Sequence, residues 1–179
     1  MFLLDYLDSS IKKLKANTAN ILTLFNLSFG GFSILFALKN ELKLSLLLIF
    51  IAALADRFDG IIARKFNIES ELGKQLDSMS DIISFGVAPP LLLYQGILFE
   101  YGAPGMFFTV LYIGCGAFRL AKFNISESNG YFTGLPITAA GCLLTLSFLA
   151  IPYISSQSFI FLIIILSFLM VSTFKLKKV

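Results

Sequence analysis

Apolar residues fall in six blocks along the chain, roughly 20–38, 42–63, 75–99, 104–123, 134–153 and 157–174. Each is near the ~20 residues that an α-helix needs to cross the hydrocarbon core of a bilayer. The breaks around 39–43, 100–104 and 152–158 are polar or hold Gly and Pro, and they are too short for a separate soluble domain. The pattern predicts an all-α polytopic membrane protein, with six transmembrane helices within residues 17–179. Ahead of them, Phe2, Leu3, Leu4, Leu7, Ile11 and Leu14 form an approximate helical stripe, while Asp5, Asp8, Lys12, Lys13 and Lys15 lie elsewhere. Residues 1–16 therefore read as an amphipathic helix lying in the membrane interface. The basic residues follow the apolar ones and no small-residue cleavage site precedes the first block, so the stretch does not read as a signal peptide.

Composition agrees with a bilayer: of 179 residues 57% are hydrophobic and 14% charged, more apolar than a soluble core requires. Once the blocks alternate across a membrane, Lys12, Lys13, Lys15, Arg57, Arg64, Lys65, Lys74, Arg119, Lys122, Lys175, Lys177 and Lys178 share one side, with Lys39 and Lys43 on the other. The positive-inside rule then predicts an integral protein of the cell membrane with both termini cytoplasmic. The net charge of +3 is thus a topology signal, and no basic patch with interleaved aromatics suggests nucleic acid. Cys115 and Cys142 fall inside spans, where they read as small buried hydrophobes.

Against this apolar background residues 56–81 stand out. Asp56 and Asp59 share one helical face, as do Asp77 and Asp81. If residues 65–72 fold the chain back as a hairpin, Asp56 comes level with Asp81 and Asp59 with the turn holding Asp77. Four ionised carboxylates that close repel one another unless cations neutralise them. Oxygen ligands without His or thiolate suit a hard divalent ion such as magnesium or manganese. Gly60 leaves room beside the helix backbone, and Arg64 adds a cationic fork suited to phosphate. The competing reading has the acids pairing with Arg57, Arg64 and Lys74 at a solvated membrane edge.

The run Asp56-x-x-Asp59-Gly60-x-x-Ala63-Arg64-x8-Gly73-x3-Asp77-x3-Asp81 resembles the full signature of the CDP-alcohol phosphotransferase family, with every signature position matched. Three further stretches resemble the phosphatidylserine synthase branch. Asn20, Thr23 and Asn26, followed by Leu27 and Gly30, match the branch's Asn-x-x-Thr-x-x-Asn-Leu-x-x-Gly start, although Ala19 replaces the usual Pro. Arg119-Leu120-Ala121-Lys122-Phe123-Asn124 and Phe132-Thr133-Gly134-Leu135-Pro136 match later segments. Read from residues alone, Asn20, Thr23 and Asn26 either line a site or bond neighbouring helices, and Arg119 and Lys122 complement a helix dipole.

The resemblance implies a six-helix membrane fold, a homodimer and transfer of a phosphatidyl or archaetidyl group from CDP-diacylglycerol or CDP-archaeol to L-serine, with release of CMP. It implies two divalent cations, Mg or Mn, held by Asp56, Asp59, Asp77 and Asp81, with Asp81 also the general base. CDP-lipid binding would fall to Gly60, Ala63, Arg64, Gly73, Asp56, Asp77 and Thr23. Serine binding would fall to Arg119, Lys122, Asn124 and Asn26. Gly105, Gly114 and Gly116 offer small-residue faces for the dimer. Two alternatives stand beside this reading: the same transfer to glycerol 3-phosphate or inositol phosphate, and a cation transporter built on intramembrane carboxylates. Against the transporter, no polar path continues through residues 44–54.

Overall fold

A computed structural model describes the backbone of residues 2–66, 70–125, 131–173 and 175–177, and the side chains of 20–62, 65, 70–125 and 134–173. Helix α1 (Phe2–Leu38) runs unbroken from the predicted interfacial stretch into the first apolar block. It ends in a Schellman motif: Asn40 takes φ 64°, its N–H reaches Ala37 O at 2.9 Å, and the Glu41 N–H reaches Phe36 O at 2.9 Å. That tight end returns the chain as α2 (Leu42–Phe66), which packs along α1. Ser33 and Ser45 bind the two rods together inside this contact, with their hydroxyls 2.8 Å apart.

The return hairpin is shorter than expected, because α2 continues to Phe66 and α3 (Glu71–Asp81) begins before residue 72. Ser70 caps α3 by accepting the Gly73 N–H at 3.0 Å. Gly73 permits this close fit, since a Cβ there would lie 3.1 Å from Ser70 Oγ and 3.3 Å from Asn20 Oδ1.

Helix α3 continues through a π-helical turn (Ile82–Val87) into α4 (Ala88–Gly96), making one 26-residue rod over Glu71–Gly96. The turn has a local cause. Pro89 and Pro90 open α4 without N–H groups, and the Ala88 N–H reaches back five residues to Ile83 O. A 3₁₀ turn at Leu98–Tyr101 leads to α5 (Ala103–Ile125), followed by α6 (Ile137–Ser147) and α7 (Ser156–Val171). Among the described residues the regular structure is helical apart from one short ribbon, in which β1 (Tyr131–Thr133) pairs antiparallel with β2 (Lys175–Lys177), Phe132 opposite Leu176.

Asn20–Leu38, Glu71–Gly96 and Ala103–Ile125 are long and apolar enough to cross a membrane. Beyond these three, α2 carries Asp56, Arg57 and Asp59 within its length, while α6 and α7 are shorter, with 11 and 16 residues. The core lies among the π turn, α5, α6 and α7, around Phe85, Tyr112, Ile137, Leu144, Phe159 and Ile163. Contacts there are close: at Gly141 of α6, a Cβ would lie 2.8 Å from both Cβ and O of Phe85. Ile137 fills the space beside two other glycines, its Cδ1 3.2 Å from a Cβ built at Gly86 and 2.9 Å from one at Gly116. A Cβ at Gly105 would lie 3.1 Å from the Leu98 carbonyl carbon. Of the three glycines expected to serve a dimer face, Gly105 and Gly116 are therefore used inside the chain, and for Gly114 alone nothing among the described residues lies within 4 Å of an added Cβ.

Candidate functional site

The site forms where α1, α2 and the Glu71–Gly96 rod pack against one another. The helical repeat puts Thr23 and Asn26 on one face of α1, and there each side chain meets one acid of α2. Thr23 Oγ1 donates to Asp59 Oδ2 at 2.7 Å, and Asn26 Nδ2 donates to Asp56 Oδ1 at 3.3 Å. The backbone of the same two residues receives the other rod: Ser80 Oγ donates to Thr23 O at 3.2 Å, and Ser84 Oγ to Asn26 O at 3.0 Å. Gly30 makes the approach possible, since a Cβ there would lie 2.9 Å from Ser84 Cα. A single face of α1 thus sets the register of both acid pairs.

Carboxylate oxygens of Asp56, Asp59 and Asp77 lie within 4.8 Å of one another. Asp59 is buried at 4% exposure and also accepts the Gly60 N–H, Asp56 is half-buried, and Asp77 is exposed, so the cluster opens on the Asp77 side. Asp81 adjoins this group and its carboxyl shares a hydrogen bond with that of Asp56. Two carboxylates in such contact need a proton between them, or a cation in the proton's place. Asp81 Oδ1 is buried and has no hydrogen-bond partner among the described residues. A hard, oxygen-only donor set with an unfilled acceptor fits a divalent cation.

Helix α5 supplies Arg119, 7% exposed and in electrostatic contact with Asp81. Its guanidinium lies 5.5 Å from the centroid of the Phe123 ring, and its Nε has no hydrogen-bond partner among the described residues. Asn124 hydrogen-bonds with Ser78, its Nδ2 donating at 2.9 Å and its Oδ1 accepting at 3.3 Å, which ties the end of α5 to α3. Lys122 is exposed in the last turn of α5. The side chains of Ala63 and Arg64 lie outside the described residues, although both fall within α2.

Sequence reading passed over Ser80, Ser84 and Tyr112. The first two carried a signal, because Asp77, Ser80, Asp81 and Ser84 follow the i, i+3, i+4, i+7 spacing of one helix face in an otherwise apolar rod. Tyr112 lies in an apolar stretch, and nothing local marks it.

Comparison with known proteins agrees with this geometry. The sequence model of the CDP-alcohol phosphatidyltransferase family matches residues 16–173. A protein of Bacillus subtilis (strain 168) named CDP-diacylglycerol–serine O-phosphatidyltransferase is 40% identical over 130 residues, 72% of this chain and 73% of the relative. The archaetidylserine synthase of Methanothermobacter thermautotrophicus is 36% identical over 164 residues, 89% of this chain and 69% of the relative. A CDP-diacylglycerol–serine O-phosphatidyltransferase of Methanocaldococcus jannaschii is 36% identical over 171 residues, 94% and 77% of the two chains. With its acid signature gathered at one helix junction and that match spanning nearly its whole length, the chain belongs to the CDP-alcohol phosphatidyltransferase family.

Proposed function

We propose that this protein transfers the phosphatidyl or archaetidyl group of a CDP-linked lipid to the hydroxyl of L-serine, releasing CMP. The observation that carries the acceptor is a set of three buried atoms without partners among the described residues: Asn26 Oδ1, Asp81 Oδ1 and Arg119 Nε. Two acceptors and one cationic donor complement the ammonium, hydroxyl and carboxylate of a free amino acid. The names of the relatives from Bacillus subtilis and Methanothermobacter thermautotrophicus point the same way.

In this reading Arg119, with Lys122 at the entrance, holds the serine carboxylate, while Asn26 Oδ1 accepts from the ammonium. Asn124, already bonded to Ser78, acts from the periphery. Asp81 takes the hydroxyl proton as serine Oγ bonds to the lipid-side phosphorus; the bond from that phosphorus to the bridging oxygen breaks, and CMP leaves. Asp56, Asp59, Asp77 and Asp81 would hold two divalent cations, Mg or Mn, which when bound neutralise the diphosphate and the developing charge on CMP. Thr23 and the Gly60 N–H orient Asp59, and Gly60, Ala63, Arg64 and Gly73 border the nucleotide together with Asp56 and Asp77.

The same reading has all six apolar rods spanning the cell membrane, residues 1–16 on its surface, and the acid cluster and both termini cytoplasmic. The acting unit is a homodimer; this rests on family resemblance, with Gly114 the remaining open small-residue position on α5. The acceptor is tested by incubating purified protein, CDP-diacylglycerol and magnesium or manganese with radiolabelled serine or glycerol 3-phosphate and following label into lipid. Serine incorporation is expected. Incorporation of glycerol phosphate and not serine would overturn the acceptor and leave the metal assignment standing.

A further inference from the structure

Asp81 is the last residue of α3, and the π turn begins directly after it. Whatever sets the winding of that turn therefore sets the angle between Asp81 and the rest of the rod, since each residue of winding is ~100° about the helix axis. The weak point of the turn is the Phe85 carbonyl. In an α-helix its donor is the N–H of residue 89 and in a π turn that of residue 90; here both are proline. The Ala88 N–H is committed to Ile83 O. Phe85 is fully buried, and α6 presses Gly141 onto the same carbonyl, leaving it shielded from bulk water. The donor that reaches it is the Tyr112 hydroxyl of α5, at 3.4 Å, from a side chain with 0% exposure. Tyr112 stands two turns before Arg119, which meets Asp81, and Asn124 farther along α5 meets Ser78. Phe85 with Tyr112, Asp81 with Arg119, and Ser78 with Asn124 thus form three successive rungs between antiparallel rods.

We infer that Tyr112 is a positioning residue for Asp81: its hydroxyl replaces the two N–H groups that Pro89 and Pro90 withhold from Phe85 O, and so holds the π turn in the register that keeps Asp81 between Asp56 and Arg119. The inference rests on the reading of Asp81 as the group that receives the acceptor's proton. Without the hydroxyl, Phe85 O is buried with no donor, and the turn relieves this by rewinding, which swings Asp81 off its line. Misplacement on the scale of an ångström is enough to cost ~100-fold in turnover.

The experiment compares wild type, Tyr112→Phe, Pro89→Ala and the double variant as purified full-length proteins, by CMP release from CDP-diacylglycerol with serine and by hydrogen–deuterium exchange of the 82–88 amides. Tyr112→Phe is expected to lower kcat by about 10- to 100-fold while the KM for CDP-lipid stays within about twofold, and to speed exchange at Val87 and Ala88. Pro89→Ala supplies an N–H one α-turn from Phe85 O, so in its background the loss of the tyrosine hydroxyl should cost little in either readout. A general packing defect would show no such rescue. Wild-type kcat or wild-type exchange in Tyr112→Phe overturns the inference, as does an equal loss in both backgrounds. Should wild type fail to use serine while exchange follows the predicted pattern, the acceptor assignment falls and the link from Tyr112 to the π turn stands.

Discussion

Replacing Thr23 with Val tests how the metal-site acids are held. The change keeps the branched shape and removes one hydroxyl, the one donating to Asp59 Oδ2 at 2.7 Å. Asp59 is 4% exposed, so water does not readily take the hydroxyl's place, and the Gly60 N–H remains as a donor. A hydrogen bond to a charged group contributes ~1.5–3 kcal/mol, which corresponds to about 10- to 100-fold in an equilibrium or a rate. Loss of a group that orients a metal ligand costs a similar ~10–100-fold in metal affinity or activity. The expected result is a rise of that order in the manganese or magnesium concentration giving half-maximal CMP release, with Thr23→Ser close to wild type because it keeps the hydroxyl. The assay is CMP release at fixed CDP-lipid and serine, titrated with metal after chelation. Unchanged metal dependence and turnover in Thr23→Val would refute the reasoning, and so would a Thr23→Ser variant damaged as badly.

Three other outcomes are expected. Asp59→Asn keeps shape and removes charge, so turnover should fall by ~1,000-fold or more, and chelation of wild type should abolish activity until magnesium or manganese is restored; near-normal turnover in the variant would sink the metal assignment. Arg119→Ala should raise the KM for serine at least ~10-fold while changing that for CDP-lipid by no more than ~3-fold, measured by initial rates with each substrate varied in turn. Gly30→Ala places a Cβ 2.9 Å from Ser84 Cα, and overpacking of that kind costs ~1–3 kcal/mol, visible as a lower melting temperature; Gly31→Ala, with nothing within 4 Å of its Cβ, should melt like wild type.

Helical periodicity is a local property, and much of the site follows from it. Asp56 with Asp59, Asp77 with Asp81, and Thr23 with Asn26 each lie within one turn, so their shared faces could be read before any fold was known. The hairpin symmetry that brings the two acid pairs together was readable for the same reason, because a short connection between two apolar rods leaves few registers. What α1 does beside those rods was not. Thr23 and Asn26 serve the acids through their side chains and Ser80 and Ser84 through their carbonyls, and backbone acceptors leave no mark on residue identity. Gly105 and Gly116 looked like an outward face, yet a small residue has the same appearance whether its neighbour is Leu98, Ile137 or another chain. The π turn is a mixed case. Pro89 and Pro90 announce that Phe85 O will lack a helical donor, but the donor that reaches it, Tyr112, lies 27 residues along the chain on a different helix. Spacing within a helix is set by the backbone repeat, whereas the partner of a buried carbonyl is set by which rods pack together, and only the tertiary structure contains that.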